Sequence, residues 1–323
     1  MSIEMTGVTR TFAAKRGQPG TRALDGVDLT IESGELFGIL GPNGAGKTTL
    51  VRILTTLLTP SSGTARVEGL DVVSDMKALR RRIGVAFGGE RGLYDRLTAR
   101  DNLIFAAHLY DLPRRRITSR VAEVLEAVDL ESRANDRVET FSRGMKQRMH
   151  IARALVHDPS ILFLDEPTSG LDPVAARSLR ELTKALQGQG KTILMTTHEM
   201  FEADALCGRV AILAGGRLRT VGTPAEIKGS VALEKVIEVE LHDDLPADSA
   251  TLHDLLGATS WDVEQRGSTN ILTVRADCGS AVGVAEVIRA IPGVSVGYSL
   301  ERTPTLEDAY IAIVEKDASE VAA

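Results

Sequence analysis

The sequence predicts an α/β fold, in which helices cover both faces of a mostly parallel β-sheet, followed by a smaller α+β domain. Two apolar segments, residues 160–167 and 191–199, are typical of buried strands, and a helical pattern lies between them. Buried apolar strands that alternate with helices indicate a parallel sheet. A third apolar strand, residues 35–40, leads into a glycine-rich segment and then a helix. The smaller domain is predicted from a change in pattern and charge near residue 230.

Other elements are predicted on either side of these strands. Residues 1–40 read as short strands joined by turns, which we expect to pair antiparallel, and a helix is predicted from the glycine-rich segment to about Leu58. Residues 95–158 are mainly helical and form an insertion between sheet strands. The last helix of the insertion begins after Ser142, a residue type that caps helices, and its apolar side chains share one face. These side chains are Met145, Met149, Ala152 and Val156.

A domain boundary is predicted between residues 229 and 230. Residues 230–323 contain 17 acidic and 6 basic side chains, so this tail carries a net charge of −11. Its patterns predict a small α+β domain with the order β–α–β–α, and Thr305 with Asp308 resembles a capping box for the last helix. No catalytic motif occurs in the tail, and we expect a regulatory or dimerisation role. Its apolar positions are Ile237, Val239, Leu241, Val284, Val287, Ile288 and Ile291.

The composition is that of an ordinary globular protein. Of the 323 residues 43% are hydrophobic, yet no apolar run reaches the roughly 18 residues of a membrane-spanning helix. The N-terminal segment lacks the layout of a signal peptide, so a cytoplasmic protein is expected. The net charge of −6 argues against a nucleic acid partner. Cys207 and Cys278 are isolated, and both are predicted to be reduced thiols.

The segment after residue 40 predicts a nucleotide site. It matches G-x-x-x-x-G-K-[ST] and lies between a strand and a helix, as a phosphate-binding loop requires. Its glycines let backbone N–H groups approach a phosphate chain, Lys47 supplies a charge for the terminal phosphates, and the Thr48 hydroxyl is suited to ligate Mg²⁺. The predicted nucleotide-binding residues of the loop are Gly41, Pro42, Asn43, Gly44, Ala45, Gly46, Lys47, Thr48 and Thr49.

Three polar side chains at the ends of the two buried strands complete the predicted catalytic site. Burying the carboxylate of Asp165 at the end of a strand costs free energy unless a cation compensates its charge, and Mg²⁺ is the natural candidate. Glu166 follows it and can orient or deprotonate the attacking water. His198 ends the next strand. Because parallel strands present their carboxyl ends at one edge, Gly41, Asp165 and His198 are expected to converge there, with the histidine in contact with a phosphate.

In this order, the pieces resemble the nucleotide-binding subunit of ABC transporters. The resemblance covers residues 3–228: the phosphate loop, the helical insertion, FSRGM at 141–145, the strand that ends at Asp165, SGLD at 169–172, and the histidine of the next strand. It implies a P-loop NTPase fold of the ABC ATPase type and an ATPase that uses ATP and Mg²⁺.

The resemblance also implies partners. In this family two copies close head to tail, and the signature segment of one copy contacts the ATP held by the other. Ser142, Gly144 and the start of their helix are therefore expected to contact the γ-phosphate bound by Lys47 of a second copy. Asp172 lies in the loop that crosses between the two sites, and Phe12 corresponds to a ring that stacks on adenine. The other implied partner is an integral-membrane permease, which holds the subunit at the inner face of the cell membrane.

Two segments depart from the family pattern. The usual signature is LSGGQ, and here Arg143 and Met145 replace a glycine and the glutamine, while the serine and the second glycine remain. The family also has a glutamine that reaches Mg²⁺ after the strand VAF, where this chain has Gly88 and Gly89. One interpretation is that Glu90 replaces that glutamine as the ligand. The other is that this segment is a glycine linker without such a ligand.

The chain's C-terminal segment, TPTLEDAYIAIVE, resembles the extension of ABC-2 type drug and antibiotic exporter ATPases, and SRGMKQR and FGGERGLY are similar to the same branch. The resemblance therefore implies export of a substrate, such as a drug, an antibiotic or a lipid-like molecule, through a separate permease.

Two other functions are alternatives to transport. One is a non-transport ABC ATPase that acts on DNA or the ribosome. Its DNA-repair members carry a long coiled coil before the signature, whereas 93 residues separate Lys47 from Phe141 here, and its ribosomal members carry two ATPase domains. The other is a P-loop kinase or GTPase, which has no reason to carry FSRGMKQR. Both are disfavoured.

Overall fold

The structure, a computed structural model, divides into two compact units, Met1–Pro224 and Ala225–Ala323. The boundary predicted at residues 229–230 lies a little further along the chain. In the described part, no helix is both long and apolar enough to cross a bilayer. The residues that the structure describes are 1–13, 20–87, 92–230, 235–243, 260–266, 269–276, 281–289, 291 and 293–322.

An antiparallel sheet begins the first unit. Its strands are β1 (Ile3–Phe12), β2 (Thr21–Ile31), β4 (Ser62–Val67) and β5 (Leu70–Asp71), in the order β2-β1-β4-β5. The predicted N-terminal antiparallel strands are therefore present, but β1 and β2 have 10 and 11 residues and are not short.

The second sheet of this unit is mostly parallel and has six strands. They are β3 (Leu36–Leu40), β6 (Ile83–Phe87), β7 (Ile161–Asp165), β8 (Thr192–Thr197), β9 (Arg209–Ala214) and β10 (Arg217–Gly222), in the order β10-β9-β3-β8-β7-β6. Only β10 runs antiparallel to its neighbour. Every residue of β3, β7 and β8 is buried, which confirms the predicted α/β fold with a parallel sheet covered on both faces.

Seven α-helices belong to the described part of this unit. They are α1 (Lys47–Leu54), α2 (Met76–Leu79), α3 (Ala99–Leu109), α4 (Arg114–Ala127), α5 (Arg143–Leu155), α6 (Pro173–Gly188) and α7 (Met200–Leu206). Helices α3 to α5 lie between β6 and β7, where the helical insertion was predicted. Ser142 caps α5, because its Oγ accepts a hydrogen bond from the N–H of Met145 (3.3 Å), and the predicted apolar face buries Met149, Ala152 and Val156.

Helix α1 ends at Leu54 and not near Leu58 as predicted. The chain adopts a left-handed conformation at Thr56, with φ of 63°, and the N–H of Leu58 donates a hydrogen bond to the carbonyl oxygen of Arg52 (3.0 Å). A β-branched residue rarely takes this conformation, so the sequence gives no sign of the turn.

The second unit contains a four-stranded antiparallel sheet. The elements are α8 (Pro224–Ser230), β11 (Lys235–Leu241), β12 (Ser260–Arg266), β13 (Thr269–Ala276), α9 (Ala281–Arg289), β14 (Val296–Arg302) and α10 (Leu306–Ala322), and the sheet order is β12-β13-β11-β14. The core contains Ile237, Val239 and Leu241 together with Val284 and Ile288 of α9.

The predicted β–α–β–α order is incomplete, because it contains two strands and the sheet has four: β11, β12 and β13 precede α9, and β14 follows it. Strand β12 is the one with the weakest pattern. This strand lies at the edge of the sheet and contributes only two apolar side chains to the core, Trp261 and Val263, so its alternation is too short to stand out in the sequence. The capping box is confirmed: Thr305 Oγ1 accepts from the N–H of Asp308 (3.2 Å), and Asp308 Oδ2 accepts from the N–H of Thr305 (2.8 Å).

One half-buried histidine, His157, gives the first unit a pH-dependent stability. The ring of His157 stacks on Tyr110, with centroids 3.7 Å apart, and its Nε2–H donates to the carbonyl oxygen of Ile83 (2.9 Å). Burial lowers the pKa of His157 from 6.5 to about 4. The folded state therefore holds this ring neutral at a pH where the unfolded chain protonates it.

We expect the protein to lose stability as the pH falls from about 6.5 towards 4, since only the unfolded state gains the proton over that interval. The shift corresponds to about 2 kcal/mol after allowance for partial exposure. Urea unfolding at pH 7 and pH 4.5 measures it, and His157→Gln is expected to remove this part of the slope. His108 is exposed, so His108→Gln is the control. Equal slopes in the wild type and both variants would contradict the assignment.

Candidate active site

Lys47 lies at the start of α1, enclosed by the loop before it. Its Nζ donates hydrogen bonds to the carbonyl oxygens of Gly41 (2.6 Å) and Pro42 (3.3 Å), and the residue is only 5% exposed. The ammonium group therefore faces the inside of the loop, where it attracts an anion.

Glycine is required at two positions of this loop. Gly46 has φ of 110°, and a Cβ atom there would overlap the carbonyl oxygen of Ala23; a Cβ atom at Gly41 would overlap that of Leu213. Gly46 is also the N-terminal cap of α1 and supplies no side chain to accept from the first N–H groups of the helix. These N–H groups are therefore available to an anion.

Asp165 ends strand β7 and receives two hydroxyl groups. The Oγ1 atoms of Thr196 (2.5 Å) and Thr48 (3.3 Å) both donate to Asp165 Oδ1, and the residue is 7% exposed. A carboxylate beside a threonine hydroxyl is the kind of oxygen pair that Mg²⁺ accepts in phosphate-binding sites. The donor set fits the predicted magnesium site.

Glu166 lies between Lys47 and His198. Its Oε1 is 3.3 Å from Lys47 Nζ, and its Oε2 is 3.4 Å from His198 Nδ1. Its φ is 48°, which non-glycine residues rarely adopt, and its N–H donates to the carbonyl oxygen of Thr196 (3.0 Å). Such conformations cost about 1–3 kcal/mol and are concentrated at functional sites. Lys47, Thr48, Asp165, Glu166 and His198 thus meet at the carboxyl edge of β3, β7 and β8.

Ser142, Gly144 and Asp172 form a second group, at the starts of α5 and α6. Asp172 caps α6, because its Oδ1 accepts from the N–H groups of Val174 (3.0 Å) and Ala175 (2.9 Å). A Cβ atom on Gly144 would lie 2.9 Å from the Cβ of Ala175, so the two helix starts are in close contact. Among the described residues, no side-chain hydrogen bond or ion pair joins this group to Lys47.

Phe12 lies at the end of β1, where it pairs with Thr21 of β2. Its ring is 39% exposed, and the guanidinium of Arg10 lies over it, 4.8 Å from the centroid. The ring is thus accessible to a ligand. The segment with Gly88, Gly89 and Glu90 falls outside the described residues.

Sequence reasoning missed three contacts of the site. Thr196 bonds Asp165, Glu202 accepts from Thr168 Oγ1 (2.9 Å), and Arg143 lies against Gly170. Of these three, only the contact between Thr196 and Asp165 follows from the sequence pattern. Strands β7 and β8 pair in parallel, so the two threonines before His198 lie beside the end of β7.

Comparisons with known proteins agree with this geometry. The family model described as "ABC transporter" matches residues 24–169. The chain is 43% identical to the ABC transporter ATP-binding protein NatA of Bacillus subtilis over 243 residues, which cover 75% of this chain and 94% of NatA. It is 36% identical to the daunorubicin resistance ATP-binding protein DrrA3 of Streptomyces coeruleorubidus over 314 residues, 97% of each chain.

Two solved structures share the fold. One is a dimeric ATP-binding cassette in a post-hydrolysis state with ADP and Pi, with a TM-score of 0.61 and 30% identity over 68% of this chain and 98% of that one. The other is cbiO1 of Clostridium perfringens, part of the ABC transporter complex cbiONQ, with a TM-score of 0.64 and 30% identity over 70% of this chain and 90% of that one.

The fold and the loop around Lys47 define a P-loop nucleoside triphosphatase. Within that class, the chain belongs to the ABC transporter family, as an ATP-binding subunit. It binds ATP and hydrolyses it. Cassettes of this family work as dimers together with transmembrane partners.

Proposed function

We propose that this chain powers export through a separate integral-membrane permease and that the permease holds it, as a cytoplasmic subunit, at the inner face of the membrane. The observation that carries the proposal is the meeting of Lys47, Asp165, Glu166 and His198 at the phosphate loop. Export is favoured because the relatives include the daunorubicin resistance protein and the Nod factor export ATP-binding protein I of Neorhizobium galegae, 40% identical over 239 residues. We expect a drug, an antibiotic or a lipid-like molecule as substrate.

The ion pair between Lys47 and Glu166 gives a simple account of substrate binding. The terminal phosphates of ATP compete with the Glu166 carboxylate for the Lys47 ammonium, which lies only 3.3 Å from that carboxylate. Once released, Glu166 remains next to His198 and accepts a proton from the water that attacks the γ-phosphorus. The bond to the β-phosphate oxygen breaks, and ADP and phosphate are the products.

Thr48 and Asp165 are the residues that would hold Mg²⁺. When bound, the ion neutralises charge on the phosphate oxygens. Thr196 fixes the orientation of the Asp165 carboxylate through its 2.5 Å hydrogen bond. Phe12 is proposed to stack on the adenine ring, which its exposed face supports.

The second group of residues suits an ATP molecule held by a second copy in a head-to-tail homodimer. Helix α5 has 13 residues and begins at the exposed Ser142, and free N–H groups at a helix start favour an anion. Gly144 lets the start of α6 pack closely against the start of α5, and Asp172 lies in the adjoining loop. The acidic tail, residues 230–323, is proposed to regulate or stabilise this dimer and to take no part in hydrolysis.

The first unit also contains a groove that is suited to a cytoplasmic segment of the permease. Its volume is about 1010 Å³, and apolar side chains from β6 and α3 line it, among them Val85, Phe87 and Leu109. Leu109 is 67% exposed. Five charged residues also line the groove, four basic and one acidic, and this positive balance favours a segment that presents carboxylates or the carbonyl end of a helix. They are Lys77, Arg80, Arg81, Arg153 and Asp111.

We expect Leu109→Arg to abolish most of the stimulation of ATPase activity by the permease, because it replaces an exposed apolar contact with another positive charge. Basal hydrolysis should be unchanged, because the groove contains none of the phosphate-site residues. The measurement is ATPase activity with and without the membrane protein encoded by the neighbouring reading frame, reconstituted in vesicles. Val221 on β10 is also exposed, and Val221→Arg is the control. The proposal fails if that membrane protein stimulates no ATPase activity and moves no substrate with the wild-type chain.

A further inference from the structure

Arg143 is the residue that most clearly separates this signature segment from the family pattern, and its side chain has an unusual neighbour. A Cβ atom built on Gly170 would lie 2.5 Å from Arg143 Cζ and closer still to both Nη atoms. The guanidinium therefore lies directly against the backbone of Gly170. In the described part of the chain, no carboxylate forms an ion pair with Arg143.

Gly170 belongs to the segment that follows Glu166. The N–H of Ser169 donates to the carbonyl oxygen of Glu166 (3.2 Å), and that of Leu171 donates to the carbonyl oxygen of Thr168 (3.0 Å). Gly170 itself has φ of 68°, a conformation that favours glycine. The turn thus begins at the proposed base, and the chain reaches the cap of α6 directly after it.

The other side of the same turn is fixed. Thr168 Oγ1 donates to Glu202, whose carboxylate is fully buried on α7, the helix that follows His198. Burial raises the pKa of Glu202. The turn is therefore held from the inside by α7, and Arg143 is its contact on the outside, where α5 begins.

We infer that Arg143 is a positioning residue: its guanidinium, packed against Gly170, links the start of the signature helix to the turn that orients Glu166. This rests on the proposed function, in which the start of α5 meets the nucleotide of a second copy. When the start of α5 contacts that nucleotide and shifts, Arg143 shifts with it and displaces Gly170. The catalytic base is then oriented only when the second copy is engaged.

The contact involves Cζ and both Nη atoms, so it depends on the planar shape of the guanidinium and not on its charge alone. Arg143→Lys keeps the charge and loses the plane, whereas Arg143→Gly restores the usual family residue. We expect both variants of the full chain to lower kcat for ATP hydrolysis about tenfold, since small errors in positioning have large effects on rate. KM for ATP should change less than about twofold. Arg177→Lys, on the exposed face of α6, is the control and should behave as the wild type.

A double-mutant cycle with Gly170→Ala separates the contact from general damage to the turn. In the wild-type background the new methyl group must displace the guanidinium, whereas the Arg143→Gly background has no guanidinium to displace. The loss of kcat caused by Gly170→Ala should therefore be several-fold smaller in the Arg143→Gly background. Thermal unfolding with and without ATP checks that each variant folds and binds nucleotide.

Three results would overturn the inference. One is a wild-type kcat in Arg143→Gly. Another is full activity in Arg143→Lys together with a raised, salt-dependent KM for ATP in Arg143→Gly. That pair of results would show that Arg143 contacts the nucleotide through its charge. The third is additivity in the cycle. None of these affects the proposed function, which depends on Lys47 and Glu166 and is tested through them.

Discussion

Replacing Lys47 with alanine is expected to lower ATP hydrolysis about a hundredfold or more, the usual effect of removing a preorganised charge from a developing transition state. The Nζ atom lies among the carbonyl oxygens of the loop and beside Glu166, so no other described cation occupies the same position. The measurement is the steady-state release of phosphate by the purified protein, together with the stabilisation of the fold by ATP.

The control for this variant is Lys184→Ala, because Lys184 is an exposed lysine on α6. It should keep the wild-type rate. Lys47→Ala protein that unfolds cooperatively and still hydrolyses ATP at the wild-type rate would show that the loop is not the phosphate site.

The parts of this site that the sequence predicts are those set by local rules. The strand, loop and helix around Lys47 follow one another within a few residues. Gly41 and Gly46 of the motif are each required because another backbone segment approaches too closely for a side chain. The edge where Asp165 and His198 meet follows from a general property of parallel sheets, namely that their strands end together. Neither prediction requires knowledge of how distant segments pack.

The parts that escaped prediction depend on such packing. The contact of Arg143 with Gly170 and the bond from Thr168 to Glu202 join segments whose proximity is decided by how α5, α6 and α7 pack on the sheet. The left-handed backbone of Glu166 is also invisible in the sequence, because glutamate gives no sign of it. It is the pairing of β7 with β8 that holds this residue in place, through the hydrogen bond from its N–H to the carbonyl oxygen of Thr196.

Replacing Glu166 with glutamine is expected to stop hydrolysis and leave ATP binding intact. Glutamine has nearly the same shape but cannot accept the proton of the attacking water, and loss of such a base usually lowers the rate about a hundredfold to ten-thousandfold. Lys47, Thr48 and Asp165 are untouched, so ATP and Mg²⁺ should bind as before. The variant also loses the ion pair to Lys47, which frees the ammonium for the phosphates and favours the ATP-bound state.

That variant is also the best material for testing the head-to-tail dimer, because the ATP that joins the two copies is no longer consumed. Sizing of the Glu166→Gln protein by light scattering should give a dimer with ATP and Mg²⁺ and a monomer with ADP. The same measurement on a Glu166→Gln chain that ends at Gly229 tests the tail: a shorter dimer lifetime with unchanged ATP affinity supports a stabilising role. A Glu166→Gln protein that binds ATP yet stays monomeric at high concentration, with the permease present, would count against the sandwich. Loss of ATP binding in the folded, shortened chain would instead place part of the nucleotide site in the tail.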